Sequence, residues 1–175
     1  VTHRHLKKPA EAAVLYEQVL KADPENDKAL TEAIKLRGND GDVKGQRGLL
    51  QRKLERAKAT GNRVAQIEAL DGLGELYHRR LGMVDEAIAA YEGAQVLDPE
   101  GRERNEILAS IYASDASRFL DKAVRAQTAI LRRNPYRAES LKLLRKLYTQ
   151  SKRADSAWCV CQVLSALNLA DPDEE

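Results

Sequence analysis

Apolar side chains recur along most of the chain at intervals of three and four residues, the spacing of an amphipathic α-helix. Around 70–81, one helical face carries an apolar stripe of Leu70, Leu73, Leu76, Tyr77 and Leu81. Helix-start signals stand at Pro9, Asp85, Ser117 and Asp155. The pattern predicts helices at 10–22, 27–37, 43–59, 63–80, 85–97, 102–113, 117–133, 137–150 and 155–168.

An internal repeat organises these helices. Residues 2–25 align with 77–100 at a constant offset of 75, with identities that include Tyr16/Tyr91 and Pro24/Pro99. Further along, small residues recur at spacings of 36 and 34, at Ala87, Ala123 and Ala157. Two helices in each period predict tandem helix pairs that must stack, because one pair cannot bury its apolar face alone.

The third period carries the signature residues of a known repeat. Its helices and closing turn contain Leu73, Gly74, Tyr77, Ala87, Tyr91, Ala94 and Pro99. This order resembles the tetratricopeptide pattern of Leu-Gly-x-x-Tyr, then Ala-x-x-x-Phe, then a closing Pro. One extra residue separates its two helices.

The other periods match the pattern less well. The second has Gln46 where Ala is expected and Leu50 at the aromatic position. The fourth has Gln127 in place of the aromatic residue and two extra residues before Ala123. The fifth has Cys161 at the aromatic position and lacks the closing Pro. The resemblance nevertheless covers nearly the whole chain.

The resemblance implies an all-α fold, a right-handed solenoid of stacked antiparallel helix pairs with about four and a half repeats. We expect one domain over 1–175, with repeats at 1–26 (partial), 27–62, 63–101, 102–137 and 138–170, followed by an acidic tail at 171–175. The chain is similar to the long arrays of large bacterial scaffold proteins. Because it starts within a repeat, we expect it to be a fragment of a longer chain.

The resemblance also predicts how the third pair packs. We expect Gly74 and Ala87 to face each other across the pair, because antiparallel helices approach closely only where side chains are small. We expect Tyr77 and Tyr91 to fill the wider gaps between neighbouring pairs, and Ala94 to meet the next pair.

Composition and cysteine placement are typical of a soluble protein in a reducing compartment. Hydrophobic residues make up 43% and charged residues 32% of the chain. No apolar run approaches the roughly 20 residues that span a bilayer. Cys159 and Cys161 lie two positions apart, and on one helix they point about 200° away from one another. We therefore expect neither a disulfide nor a shared metal, and a cytoplasmic location.

Candidate catalytic and ligand-binding motifs are weak. His3, His5 and His78 have no matching set of metal ligands, and the first and last of these occupy equivalent repeat positions. The glycines near 38–48 lack the lysine-serine ending of a phosphate-binding loop. No Ser, Cys or Thr has a recognisable base partner. We expect a protein that is not an enzyme and needs no cofactor or metal.

Charge alternates along the chain although the net charge is only +2. Segment 44–63 carries a net charge of +6, 65–115 carries −7 and 118–153 carries +9. One interpretation of these charge blocks is that they are solvated helix faces. The other is that they create an alternating electrostatic field that orients a partner of mixed charge.

In the tetratricopeptide family the first helix of each pair lines a concave groove. Carried onto this sequence, the groove residues are Lys28, Glu32, Lys35, Glu68, Asp71, Glu75, His78, Glu103, Glu106, Lys142, Lys146 and Gln150. The family's lysine-asparagine clamp for a terminal carboxylate is not reproduced, so chaperone-tail binding is disfavoured.

The leading hypothesis is a non-catalytic protein–protein interaction scaffold that binds a partner polypeptide through the groove or the repeat ends. Partners include other proteins, other parts of its own longer chain, and a second copy. One alternative is a nucleic-acid-binding helical repeat using 118–153, disfavoured because Tyr136 and Tyr148 are expected to pack. Another is self-association through Trp158 and the last helix, unless the acidic tail caps that end.

Overall fold

The structure, a computed structural model, describes residues 9–24 and 26–170. Over these ranges the backbone forms helices and short connections, with no strand. The helices are α1 Pro9–Ala22, α2 Asp27–Asn39, α3 Val43–Ala59, α4 Arg63–Glu75, α5 Val84–Leu97, α6 Arg102–Ser114, α7 Ala116–Arg133, α8 Ala138–Gln150 and α9 Ala154–Ala166. A π-helical turn, Leu76–Leu81, continues α4.

The predicted helices are confirmed to within two residues at each end, but the predicted start signals need correction. Asp85, Ser117 and Asp155 are each the second residue of a helix. Side chains at other positions cap the helices: Asn26, Asp42 and Asn62 each accept a hydrogen bond from the backbone N–H three residues later, at 3.0, 2.8 and 3.1 Å. Such caps satisfy N–H groups that a helix start leaves without intrahelical partners.

The chain divides into two compact units, Val1–Pro99 and Glu100–Glu175. Unit 1 contains α1 to α5, whose short connections make neighbouring helices antiparallel. One core cluster joins Leu20 of α1 to Ala29, Leu30 and Ala33 of α2. A second cluster joins α3, α4 with its π-helical turn, and α5 through Leu50, Leu54, Ala69, Leu73, Leu76 and Ala90.

The signature residues of the third pair pack differently from the expected arrangement. The nearest neighbour of Gly74 is the ring of Tyr91 rather than Ala87, because a Cβ at Gly74 would lie 2.7 Å from ring carbons. Tyr91 of α5 therefore packs against α4 within its own pair. Tyr77 does pack against the second core cluster, which joins α3 to α4 and α5.

The π-helical turn takes up the extra residue that separates the two helices of this pair. A π-helical turn contains one residue more than an α-helical turn of the same length. Gly82, with φ at 63°, ends this turn in the left-handed conformation. The apolar stripe stops before the turn ends, because Leu81 is exposed.

Unit 2 contains α6 to α9. Its buried residues include Leu108 and Tyr112 of α6, Ala123 and Gln127 of α7, Leu144 and Leu147 of α8, and Leu164 of α9. Gln127 is thus buried at the position where the repeat pattern has an aromatic residue. The backbone of α7 is kinked at Phe119, where φ is −120°, close to the two extra residues that precede Ala123.

Several sequence features fall outside the described residues. These are His3, His5, the start of the partial first repeat and the acidic segment 171–175. Among the helices that are described, none is both long and apolar enough to cross a membrane.

Candidate functional site

An open cleft of about 520 Å³ lies between the first helices of two successive pairs in unit 1. We call it the α2–α4 cleft, and its lining comprises Ile34, Lys35, Gly38, Asn39, Gln46, Leu50, Gly72, Glu75, Leu76, Arg79 and Arg80. Ile34, Leu50 and Leu76 belong to the second core cluster or pack against it. The cleft therefore has an aliphatic floor that continues into the core and a polar rim.

Cations outnumber carboxylates on this rim. Glu75 pairs with Arg79 at 3.3 Å, and Lys35 pairs with Glu32 at 2.9 Å. Arg80 is also exposed on the cleft, and Asn39 adds an exposed amide. Such a rim suits a polypeptide that presents acidic side chains and backbone groups beside aliphatic ones.

Two glycines let the cleft walls approach each other. A Cβ at Gly72 would lie 2.9 Å from Cδ2 of Leu50, and one at Gly38 would lie 2.7 Å from Nε2 of Gln46. Both contacts are closer than real Cβ atoms show, so a side chain at either glycine would push the end of the Leu50 or Gln46 side chain aside.

Unit 2 has a cleft in the corresponding place, between the α6–α7 turn and α8, with a volume of about 610 Å³. We call it the α6–α8 cleft, and its lining comprises Ala113, Ser114, Asp115, Ala116, Ser117, Leu120, Leu143, Lys146, Leu147 and Gln150. Asp115 caps α7 by accepting a hydrogen bond from the N–H of Arg118 at 3.4 Å. Lys146 and Gln150 supply the polar groups on the α8 side.

Helix α8 also borders a third, more open depression of about 690 Å³. We call it the α8–α9 face, and its lining comprises Lys142, Leu143, Arg145, Lys146, Thr149, Gln150 and Cys161. Three of these residues are cationic and none is a carboxylate.

The structure brings five of the predicted groove residues into these clefts. Lys35 and Glu75 line the α2–α4 cleft, Lys146 and Gln150 line both depressions of unit 2, and Lys142 lines the α8–α9 face. The remaining predicted residues line none of the three: Lys28, Glu32, Glu68, Asp71, His78, Glu103 and Glu106.

Three of those remaining carboxylates are engaged in ion pairs within their own unit. Glu32 pairs with Lys35 at 2.9 Å, Glu68 with Lys53 at 2.6 Å, and Glu106 with Arg137 at 3.1 Å. Sequence reasoning missed Arg79, Arg80 and Asn39 as cleft residues. Arg79 follows Glu75 by one helical turn, which is the signal that could have found it.

Two large aromatic side chains are exposed, one of them against expectation. Tyr136 is 71% exposed, so the expectation that it packs is wrong, whereas Tyr148 is half-buried. Trp158 is 63% exposed on α9. Nearby cations of the 118–153 segment are partly engaged, since Arg133 pairs with Glu100 and Arg153 with Asp121.

The cysteines are free thiols, Cys159 exposed and Cys161 half-buried. Within the described residues, no group of three or more His, Cys, Asp or Glu side chains is arranged to hold a metal ion.

Among the comparisons with known proteins, only the comparison with solved structures gives matches. YrrB, described as a TPR protein with an unusual peptide-binding site, matches with a TM-score of 0.63 and 15% identity, over 94% of this chain and 80% of that one. TPR-like repeats of a Podosopora anserina protein described as a kinesin light chain match with a TM-score of 0.60 and 18% identity, over 95% and 90%. A chain of Naa15/Naa10 bound to HypK-THB matches with a TM-score of 0.67 and 20% identity, over 97% of this chain but 24% of that one.

No family model and no curated protein sequence matches the chain. The structural matches nevertheless cover both units and include proteins described as TPR. The expected all-α tetratricopeptide fold of tandem helix pairs is therefore confirmed.

Proposed function

We propose that this chain is a non-catalytic interaction scaffold that binds a partner polypeptide along the first helices of its pairs, in the α2–α4 cleft and the α6–α8 cleft. The α2–α4 cleft carries the proposal, because it combines an aliphatic floor with a rim of Lys35, Arg79, Arg80 and Glu75. A short polypeptide can bury an apolar side chain on such a floor while its polar groups meet the rim.

The residues that line the α2–α4 cleft also favour polypeptide binding over catalysis. The charged groups of the α2–α4 cleft are long, largely exposed side chains, three of which form ion pairs with residues three or four positions away. Exposed charges contribute more to association rate and selectivity than to affinity, whereas the aliphatic floor contributes affinity. The chain resembles YrrB in fold, and the peptide-binding site named for that protein is in keeping with this role.

Affinity capture with the full chain as bait tests the proposal. The cleft variant carries Lys35→Glu and Arg80→Glu, and the control carries Lys58→Glu on an exposed position of α3 that does not line the cleft. We expect captured polypeptides to fall at least about tenfold with the cleft variant, because like charges then oppose the partner's carboxylates. The control variant should capture them as the parent does.

Two further observations make this experiment decisive. Treating the lysate with nuclease should leave capture unchanged, because the proposed partner is a polypeptide. Melting curves of both variants should match that of the parent, since Lys35, Arg80 and Lys58 are all exposed. If the folded cleft variant captures the same polypeptides in the same amounts, the α2–α4 cleft is not the binding site.

A further inference from the structure

Gln46 stands at a repeat position that a small, buried residue occupies in the next two pairs. The residues there are Ala87 and Ala123, and neither has any exposed surface. A glutamine side chain is too long to fill such a contact between two helices. In the second pair it lines the α2–α4 cleft instead, beside Leu50 of the same helix, and it is half-buried.

Gly38 of α2 provides the space for this side chain. A Cβ at Gly38 would lie 2.7 Å from Nε2 of Gln46 and 3.4 Å from its Oε1, so the amide group lies directly against the backbone of α2. Over residues 9–24 and 26–170, no hydrogen bond joins the amide group of Gln46 to another residue. A donor and an acceptor are therefore available side by side on the wall of the cleft.

The surroundings of this amide group are aliphatic. Leu50 and Leu76 belong to the second core cluster, Ile34 packs against it, and all three line the cleft with Gln46. A ligand that covers this floor removes water from the amide group. The amide then remains without hydrogen bonds unless the ligand supplies them, and an unpaired polar group weakens binding. A matching ligand therefore offers an acceptor and a donor next to an apolar group.

The main chain of an extended polypeptide meets this requirement. In an extended strand the N–H and C=O of one residue point to the same side and can both bond one partner group. Successive side chains point to opposite faces, so one of them can reach the aliphatic floor. The backbone groups inside an α-helix are already bonded to one another. A helix therefore cannot satisfy the amide in this way.

One cation on the rim adds a requirement for charge. Lys35 is paired with Glu32 at 2.9 Å. Arg79 is paired with Glu75 at 3.3 Å. Arg80 is exposed and forms no ion pair with the residues that the structure describes. A carboxylate of the ligand can therefore pair with Arg80 without displacing an existing partner.

We propose that the α2–α4 cleft binds an extended acidic segment of a partner protein, in which the N–H and C=O of one residue bond the amide group of Gln46 and a carboxylate pairs with Arg80. The proposal rests on the function proposed above. It adds the conformation of the bound segment and identifies Gln46 as the residue that selects this conformation.

The probes are short peptides that the full chain selects from a random library. Peptides are retained when their binding is lost in the variant with Lys35→Glu and Arg80→Glu, because such peptides occupy the α2–α4 cleft. If no retained peptide emerges, the proposed function fails, and the selection of extended segments by Gln46 fails with it. Retained peptides allow Gln46 to be tested separately.

Replacing Gln46 with Ala should weaken the binding of retained peptides about fivefold, as expected for the loss of one hydrogen bond. The fold accommodates this change, because alanine occupies the equivalent position in two other pairs. The matched control is Gln51→Ala, an exposed amide on the same helix that does not line the cleft, and it should leave the affinity unchanged. Equal affinity of Gln46→Ala and the parent would overturn the role of Gln46 and leave the proposed function standing.

The variant Gly38→Ala tests the placement of the amide group. Its Cβ should push the Gln46 amide aside and weaken peptide binding, although alanine favours the helix over glycine. In a chain that already carries Gln46→Ala, the same change should have no further effect on affinity. Independent, additive losses from the two substitutions would contradict the proposed placement.

Changes to a retained peptide show whether its main chain is recognised. Replacing one peptide bond at a time with an ester removes a single N–H donor. At one position this replacement should weaken binding to the parent about fivefold and leave binding to Gln46→Ala unchanged. A side-chain bridge that holds the peptide in a helix should abolish binding to the parent. A bridged peptide that binds as tightly as the linear one, or esters that affect the parent and Gln46→Ala equally, would overturn the proposal.

Discussion

At the residue scale, small side chains determine how closely the helices of this chain approach. Ala87, Ala94 and Ala123 have no exposed surface, and two of them belong to the alanine series that recurs through the sequence. Gly74 acts differently from the expected helix-to-helix contact, since it makes room for the ring of Tyr91. A repeat pattern identifies which positions must be small but not which neighbour requires it.

Replacing Gly74 with Leu should destabilise unit 1 by about 1–3 kcal/mol, because the new side chain must displace the buried Tyr91 ring. The matched control is Gly48→Ala on α3, where a Cβ meets nothing within 4 Å. That control should be neutral or stabilising by up to about 1 kcal/mol, since alanine favours the helix over glycine. Chemical denaturation of the full chain measures both, and equal stability of Gly74→Leu and the parent would contradict the packing described for Tyr91.

Other residue-level features could not be read from the sequence. Arg104 is only 5% exposed, although arginine is normally a surface residue. Tyr136 follows a proline at the end of a helix and is exposed, whereas Tyr112 at a pattern position is buried. Burial of such amphipathic side chains depends on neighbours that sequence periodicity does not specify.

At the scale of the elements, helix positions were predictable because helix-breaking residues separate the segments in which apolar residues recur at helical spacing. The Asn or Asp residues that directly precede α2, α3 and α4 carried the signal for the true caps. The π-helical turn was not predictable. One extra residue between two helices can be accommodated by a longer loop or by a wider turn, and the sequence pattern does not distinguish the two.

The cap of α3 makes a pH-dependent prediction. The N–H of Gly45 donates to Asp42 and, together with the nearby Arg37, holds the pKa of that carboxyl below its ordinary value of 3.8. A lowered pKa means that Asp42 stabilises the fold above pH 3.8, and that this contribution is lost as the pH falls through the folded-state pKa. Asp42→Ala should therefore lower Tm at pH 7, with a difference from the parent that disappears in acid.

Asn62→Ala is the control for that experiment, because Asn62 caps α4 with an amide that does not titrate. It should cost about 1 kcal/mol, and the cost should not vary with pH over the same range. Thermal melts of both variants between pH 7 and pH 3 provide the comparison. A difference for Asp42→Ala that persists unchanged in acid would show that its carboxylate is not the stabilising group.

At the scale of the whole molecule, the fold followed from the repeat but the binding surface did not. Of the residues that the first-helix rule of the family selects, Lys35, Glu75, Lys146 and Gln150 line the clefts, and their role in partner binding stays a prediction. It also selected Glu68 and Glu106, which are engaged in ion pairs away from the clefts. The rule specifies a helix face, whereas membership of a cleft depends on which elements pack beside that face.

Charge blocks along the sequence were a poor guide for the same reason. Segment 65–115 is acidic overall, yet its contribution to the α2–α4 cleft is Glu75 with two arginines. Cations that follow the acidic stretch of α4 lie on the π-helical turn and reverse the charge of the rim. Local charge at a cleft is set by three-dimensional neighbours, and a fold of this kind does not by itself identify the partner.

Site-specific photocrosslinking tests the central claim most directly, because it reports whether a polypeptide occupies the α2–α4 cleft. A photoreactive amino acid replaces Asn39, an exposed amide that lines the cleft, or Gln51, an exposed amide on α3 that does not. We expect position 39 to capture a polypeptide that position 51 does not capture, and Lys35→Glu with Arg80→Glu to abolish that product. Equal capture from both positions, or capture at position 39 that survives the charge reversal, would contradict the account.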